Sequence, residues 1–188
     1  MPKPFSASAI FNPIFPKSIT LFLSLTPKSF LGFLPFLSLM ALREVLRQQL
    51  SELISSMEQE GFVDFHFNIA HTVKKVDGPL AFIELVTTFR SDSQSTLRTL
   101  TQALDQPIIN FNEMEQHCLK IKGSTSCLGI YRMALASGDL RQAICNSSKE
   151  ECFLALNRMK HEFLILQEKF DLICQLERRI YSAEPGEV

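Results

Sequence analysis

Four histidines, His66, His71, His117 and His161, are the side chains of this 188-residue chain most suited to accepting or relaying a group near neutral pH. Only His117 stands in a suggestive setting. It opens the stretch His117-Cys118-Leu119-Lys120-Ile121-Lys122-Gly123-Ser124-Thr125-Ser126, where lysine, glycine and small hydroxyl residues lie together. Nucleophilic or acid–base chemistry would need a partner beside the histidine. No carboxylate or hydroxyl triad is discernible around any of the four. A lone histidine of this kind is more often a satisfied surface or core residue than a nucleophile.

The five cysteines (Cys118, Cys127, Cys145, Cys152 and Cys174) are an odd number with no C-x-x-C pair. Four of them fit apolar helical faces, where a free thiol behaves as a small hydrophobe. The expectation is reduced structural thiols, with neither a metal site nor a disulfide framework, and no cofactor.

The elements that would position these residues are helices. Leu42, Val45, Leu46, Leu50, Leu53, Ile54 and Met57 recur at three- and four-residue steps and make one helical face. Gly61 ends that helix. Asp64 to Val76 has a weaker helical pattern and closes at the turn signal Asp77-Gly78-Pro79. A helix opening near Pro79 then carries Phe82, Leu85, Val86, Phe89, Leu97, Leu100 and Leu104 to about Asp105. The central helix runs through Phe111, Met114, Cys118, Ile121 and Thr125 and is expected to reach Ala136. Ser137-Gly138-Asp139 should break or kink the chain before a short helix over 139–145. After capping residues at 146–151, a long helix repeats Cys152, Leu156, Met159, Phe163, Leu166, Phe170, Ile173 and Ile180 on one face. No strand pattern appears. Long helices with short connections predict an all-α, up-and-down bundle.

Charge divides the chain. Residues 1–39 hold Lys3, Lys17 and Lys28 and no acid, together with most of the prolines, whereas the remainder has 16 basic and 20 acidic residues. A mildly acidic domain without a basic stripe argues against nucleic-acid binding. The N-terminal stretch has no apolar run of roughly 20 residues to span a membrane. It is read as an extension outside the fold: non-functional or mispredicted, a targeting segment, or a membrane anchor. The organisation expected is thus an extension over 1–39, a helical domain over 40–182 and a flexible tail over 183–188.

Within the central helix, about 100° per residue places Leu119 roughly 120° from the middle of the buried stripe, facing solvent. Glu115, Lys122, Gly123 and Ser126 are its neighbours on that face. Glycine inside a helix costs about 1 kcal/mol relative to alanine, which is tolerable where another surface approaches closely. Either Leu119 is a scattered surface leucine and Gly123 accommodates packing within the chain, or the face docks a partner whose negative group Lys122 meets.

These residues resemble the plant histidine-containing phosphotransfer family, whose central helix carries a signature similar to H-x-H-Q-L-K-G-S-S-S-S-I-G. Here the matching run is His117 to Gly129, and the likeness extends to Leu85–Ser93, Leu104–Phe111 and the final helix. The resemblance implies a four-helix phosphotransfer bundle with additional N-terminal helices. It further implies docking on receiver domains of sensor histidine kinases and response regulators. A monomer, located in cytoplasm and nucleus, is expected, with organelle targeting by residues 1–39 the alternative. The position of the phosphoacceptor histidine is occupied by Leu119, and the following glutamine is replaced by Lys120, while Lys122 and Gly123 are kept. Leucine has no nitrogen to attack a phosphoaspartate. The chain thus resembles the pseudo-type members, which would bind through Glu115, Leu119, Lys122, Gly123 and Ser126 without accepting phosphate and so damp cytokinin signalling. His117, about 200° around the helix from Leu119, would be the acceptor only if the protein were an active carrier. A degenerate, non-functional copy is the remaining alternative.

Overall fold

The computed structural model describes residues 27–183, with side chains from residue 38 onward. Contacts divide the chain into Met1–Leu39 and Met40–Val188, and the second unit carries the fold described below. The described elements are α1 (Pro27–Gln59), α2 (Phe65–His71), α3 (Lys74–Asp77), α4 (Ala81–Leu104), α5 (Phe111–Cys127), α6 (Tyr131–Cys145) and α7 (Lys149–Ser182). No described helix is long and apolar enough to cross a membrane. Most of the N-terminal extension, and the tail beyond Ala183, lie outside the described residues. Ala183 itself is buried and caps α7.

Helices α4 to α7 form the four-helix bundle: α4 packs on α5 and α7, and α6 packs on α5 and α7. The α7 positions predicted from periodicity are all buried, from Cys152 to Ile180. Ser148 caps this helix by accepting a hydrogen bond from the Glu151 N–H at 3.3 Å. At the centre, Phe67 of α2 stacks on Phe170 of α7 with ring centroids 5.9 Å apart. The edges of Phe82 and Phe89 from α4 close the cluster.

Four expectations need correction. The apolar face of α1 is shorter than its pattern, because Leu42 and Val45 are exposed while Leu46, Leu50, Ile54 and Met57 are buried. The segment 64–76 is two short helices, with Asp64 capping the first by accepting from the His66 N–H at 2.9 Å. Cys145 and Cys127 are exposed, leaving three buried thiols rather than four. The central break also falls elsewhere. Helix α5 stops at Cys127, and α6 runs unbroken through Ser137-Gly138-Asp139.

The reason for the last correction is Gly129. It has φ +67, in the left-handed region open to glycine. The Ile130 N–H donates to the Thr125 carbonyl at 2.8 Å, and the Gly129 N–H donates to Ser126 at 3.2 Å. That pair of bonds is a Schellman ending. Gly61 ends α1 in the same way, with the Phe62 N–H bonded to Met57 and φ +71. By contrast, a Cβ on Gly138 would meet nothing within 4 Å, and its helix continues.

Helices α2 and α3 are tied to α7 by a buried ion cluster. Glu177 is 4% exposed, and its Oε1 accepts from His71 Nε2 at 2.5 Å and from Lys74 Nζ at 2.6 Å. No carboxylate had been expected beside His71. Burial by itself pushes the Glu177 carboxyl up, but the bonds from His71 and Lys74 outweigh it and hold it below the usual 4.5. A depressed folded-state value gives stability that is present above the unfolded value and lost as pH falls through the folded one. Thermal melts below about pH 4.5 should therefore show a steeper acid loss of Tm for the native chain than for Glu177→Gln. Equal acid slopes would remove Glu177 as the cause.

Candidate functional site

Helix α5 presents the candidate face. Asn110 caps it by accepting from the Glu113 N–H at 3.2 Å. Met114, Cys118, Ile121 and Thr125 anchor it in the core. The opposite side carries Leu119, 45% exposed, with Gly123 and Ser126 exposed and Glu115 and Lys122 half-buried. The five residues singled out by helical arithmetic thus lie on one accessible side of one helix.

Gly123 discriminates between the two readings of that face. A Cβ placed there would meet nothing within 4 Å among the described residues. Packing within the chain therefore does not require glycine at this position. What the missing side chain clears is space outside the molecule, one turn from Leu119.

Electrostatics on the face are uneven. Glu115 Oε1 accepts from Arg141 Nε of α6 at 3.2 Å, which largely neutralises the one acid of the set. Lys122 forms no salt bridge among the described residues, so its ammonium is available to an approaching anion. Lys120 lies 3.8 Å from Asp92 of α4, with both side chains 61% exposed, a weak pair. Arg141 was not foreseen, because it is 26 residues from its partner and reaches the face only through the α5–α6 packing.

No other group on α5 replaces an imidazole at position 119. Cys118 is fully buried, donates its Sγ–H to the Ser137 carbonyl at 3.1 Å, and is pushed by burial up to about 11. A thiol held there is no nucleophile at neutral pH. His117 is half-buried on another flank and forms no hydrogen bond among the described residues. His66 lies 3.1 Å from Asp64 and packs against Phe65 on α2. His71 belongs to the Glu177 cluster. Among the described residues no group of three His, Cys, Asp or Glu is placed to hold a metal ion.

The fold and site together define a four-helix bundle whose central helix exposes a lysine–glycine face. An Hpt domain family model matches residues 84–169, which spans α4, α5, α6 and much of α7. Histidine-containing phosphotransfer protein 2 of rice is 30% identical over 141 residues, covering 74% of this chain and 95% of that protein. A crystal structure of a histidine-containing phosphotransfer protein from maize is 32% identical, with a TM-score of 0.68 over 72% of this chain and 99% of that one. Pseudo histidine-containing phosphotransfer protein 2 of rice is 26% identical over 135 residues, 72% of this chain and 89% of that protein. The chain belongs to the plant histidine-containing phosphotransfer family.

Proposed function

We propose that this protein is a pseudo-type member of the family, which docks on receiver domains of sensor histidine kinases and response regulators without accepting phosphate. Competition with active carriers for those receivers would damp a phosphorelay such as cytokinin signalling. The observation that carries this reading is the exposed Leu119 where the family resemblance places the acceptor histidine. A nucleophile is indispensable for covalent transfer. The cleared surface at Gly123 and the unpaired Lys122 support retention of docking after loss of chemistry. An apolar side chain at an interface centre is compatible with docking, and Lys122 would speed encounter with an acidic receiver pocket. The protein acts as a monomeric binding partner in cytoplasm and nucleus on this reading, and is not itself an enzyme.

The test mixes the full-length chain with a phosphorylated receiver domain and measures label transfer and affinity together. No label and measurable binding are expected. Lys122→Ala should weaken binding by about tenfold or more if its charge pair is desolvated on docking, since such pairs are worth about 1.5 kcal/mol upward. Gly123→Ala should separate docking from stability, because alanine favours the helix by about 1 kcal/mol yet adds bulk to the contact face. A higher Tm with weaker receiver binding is the expected pair of results. Label that disappears with His117→Ala would overturn the proposal in favour of an active carrier. Absence of both label and binding would mark a non-functional copy.

A further inference from the structure

Ion pairs between neighbouring helices recur through this bundle. Arg90 of α4 pairs with Asp171 of α7, Arg132 of α6 with Glu162 of α7, Arg141 of α6 with Glu115 of α5, and Arg158 of α7 with Asp139 of α6. The groove between α4 and α7 departs from that pattern. Its volume is about 470 Å³, and its charged lining among the described residues is Arg98 of α4 and Lys160 of α7, with no acid. Neither cation forms a salt bridge or hydrogen bond among the described residues. Neither has an acid three or four residues away on its own helix, where a neutralising partner would stand. The side-chain amides of Gln94, Gln102 and Gln167, which also line the groove, are likewise unbonded.

The floor of the groove is apolar and closed, since Leu97 and Phe163 are buried. Its rim is apolar and open. Leu164 is 60% exposed, and Phe153, three turns earlier on α7 and within about 20° of the same line, is 57% exposed. Single exposed apolar residues are ordinary. Here two of them stand about 16 Å apart on one line, with Lys160 between them. That is the arrangement along which an amphipathic helix sets its anchors. A lipid surface would call for a flat or convex apolar face, whereas this floor is recessed between two helices.

We infer that the α4–α7 groove docks an acidic amphipathic helix of a partner protein. Its carboxylates would meet Arg98 and Lys160, and one of its apolar side chains would enter over Leu97 and Phe163. The three glutamine amides, each able to donate and accept, would bond polar groups along its edge. An acidic partner supplies the counter-charge that no residue of this chain provides there. No residue of α5 lines the groove, so the site is separate from the face around Leu119 and does not rest on receiver docking.

The probe is a synthetic amphipathic helix about five turns long, with glutamates on one face and leucines on the other. Its counterpart carries lysine for every glutamate, so the pair shares an apolar stripe and differs in charge. Each is titrated into full-length protein while leucine methyl signals are followed by NMR. The acidic peptide is expected to shift Leu97 and Leu164 saturably and to bind about tenfold or more tighter than the basic one, a gap that narrows as salt rises. Arg98→Glu combined with Lys160→Glu should invert the preference. Arg98→Gln combined with Lys160→Gln should erase it, and this milder pair decides the matter if the reversed protein folds poorly. Absence of saturable shifts at these methyls would overturn the proposal, as would equal affinity for the two peptides or a preference that survives the glutamine pair. Shifts confined to Leu119 would place the peptide on the other face and also overturn it. Anionic lipid vesicles that move the Leu97 and Leu164 methyls where the acidic peptide does not would assign the groove to a membrane surface instead.

Discussion

Leu119→His should make the protein become labelled to near stoichiometry by a phosphorylated receiver, where the unsubstituted chain is proposed to take no label. The step needs one new group. An imidazole nitrogen at position 119 attacks the phosphorus of the aspartyl phosphate. A nitrogen–phosphorus bond forms as the bond to the carboxylate oxygen breaks, the carboxylate leaves as an anion, and the ring proton passes to solvent. Position 119 is 45% exposed, so the ring would be accessible without rearrangement of α5. Lys122 stands one turn on, and the open space at Gly123 would leave room for the proposed partner. Exposed substitutions of this type leave stability within about 0.5 kcal/mol, so a change in labelling would report chemistry rather than folding. Leu119→Gln is the control, polar but without a nucleophilic nitrogen, and should stay unlabelled. The label in the histidine variant should survive His117→Ala. A Leu119→His protein that binds receivers yet remains unlabelled would show that position 119 is not aligned with the phosphoaspartate.

Gly129→Ala should cost the fold about 3 kcal/mol or more, combining left-handed strain of about 1–3 kcal/mol with overpacking of similar size. The added Cβ would stand 2.4 Å from the Phe67 backbone nitrogen and 2.5 Å from Asp64 Oδ1. The first of these contacts is to backbone, which cannot swing aside. Relief would require α2 to move away from the α5–α6 junction, breaking the bond from the Asp64 N–H to the Gly129 carbonyl at 2.8 Å. Phe67, 1% exposed and stacked on Phe170, would be displaced with it. At about 2–4 °C per kcal/mol for a chain of this size, a drop in Tm near 10 °C is expected by calorimetry. Gly138→Ala, at an open helical position, should leave Tm unchanged or raise it. Equal effects at the two glycines would refute the close approach of α2 to Gly129.

These two glycines also show what the sequence could and could not disclose. Either is compatible with a helix end, and Gly138, between Ser137 and Asp139, carries the stronger local turn signal. Local rules placed the break at Gly138, whereas the neighbour that demands a missing side chain belongs to α2, some 60 residues earlier. Periodicity succeeded where one face decides the outcome, as in α7, and at Leu119, whose exposure follows from angle alone. It overstated the apolar face of α1, where Leu42 and Val45 share the pattern but find no cover. The Glu177–His71 bond joins residues 106 positions apart, and no spacing rule links them.

The hydroxyl run after Gly123 has a consequence for the field that α5 presents. A helix ends with unsatisfied carbonyls and a partial negative charge, an unwelcoming surface for an acidic partner. Here Ser124 Oγ donates to the Ile121 carbonyl at 3.0 Å, and Thr125 Oγ1 donates to the Ile121 and Lys122 carbonyls at 2.9 and 3.0 Å. The Leu128, Gly129 and Ile130 N–H groups cover the carbonyls of Ser124, Ser126 and Thr125. With these oxygens occupied and Lys122 beside them, the C-terminal end of α5 is muted as a negative pole. An anionic surface can approach along the length of the helix without meeting a like-charged terminus.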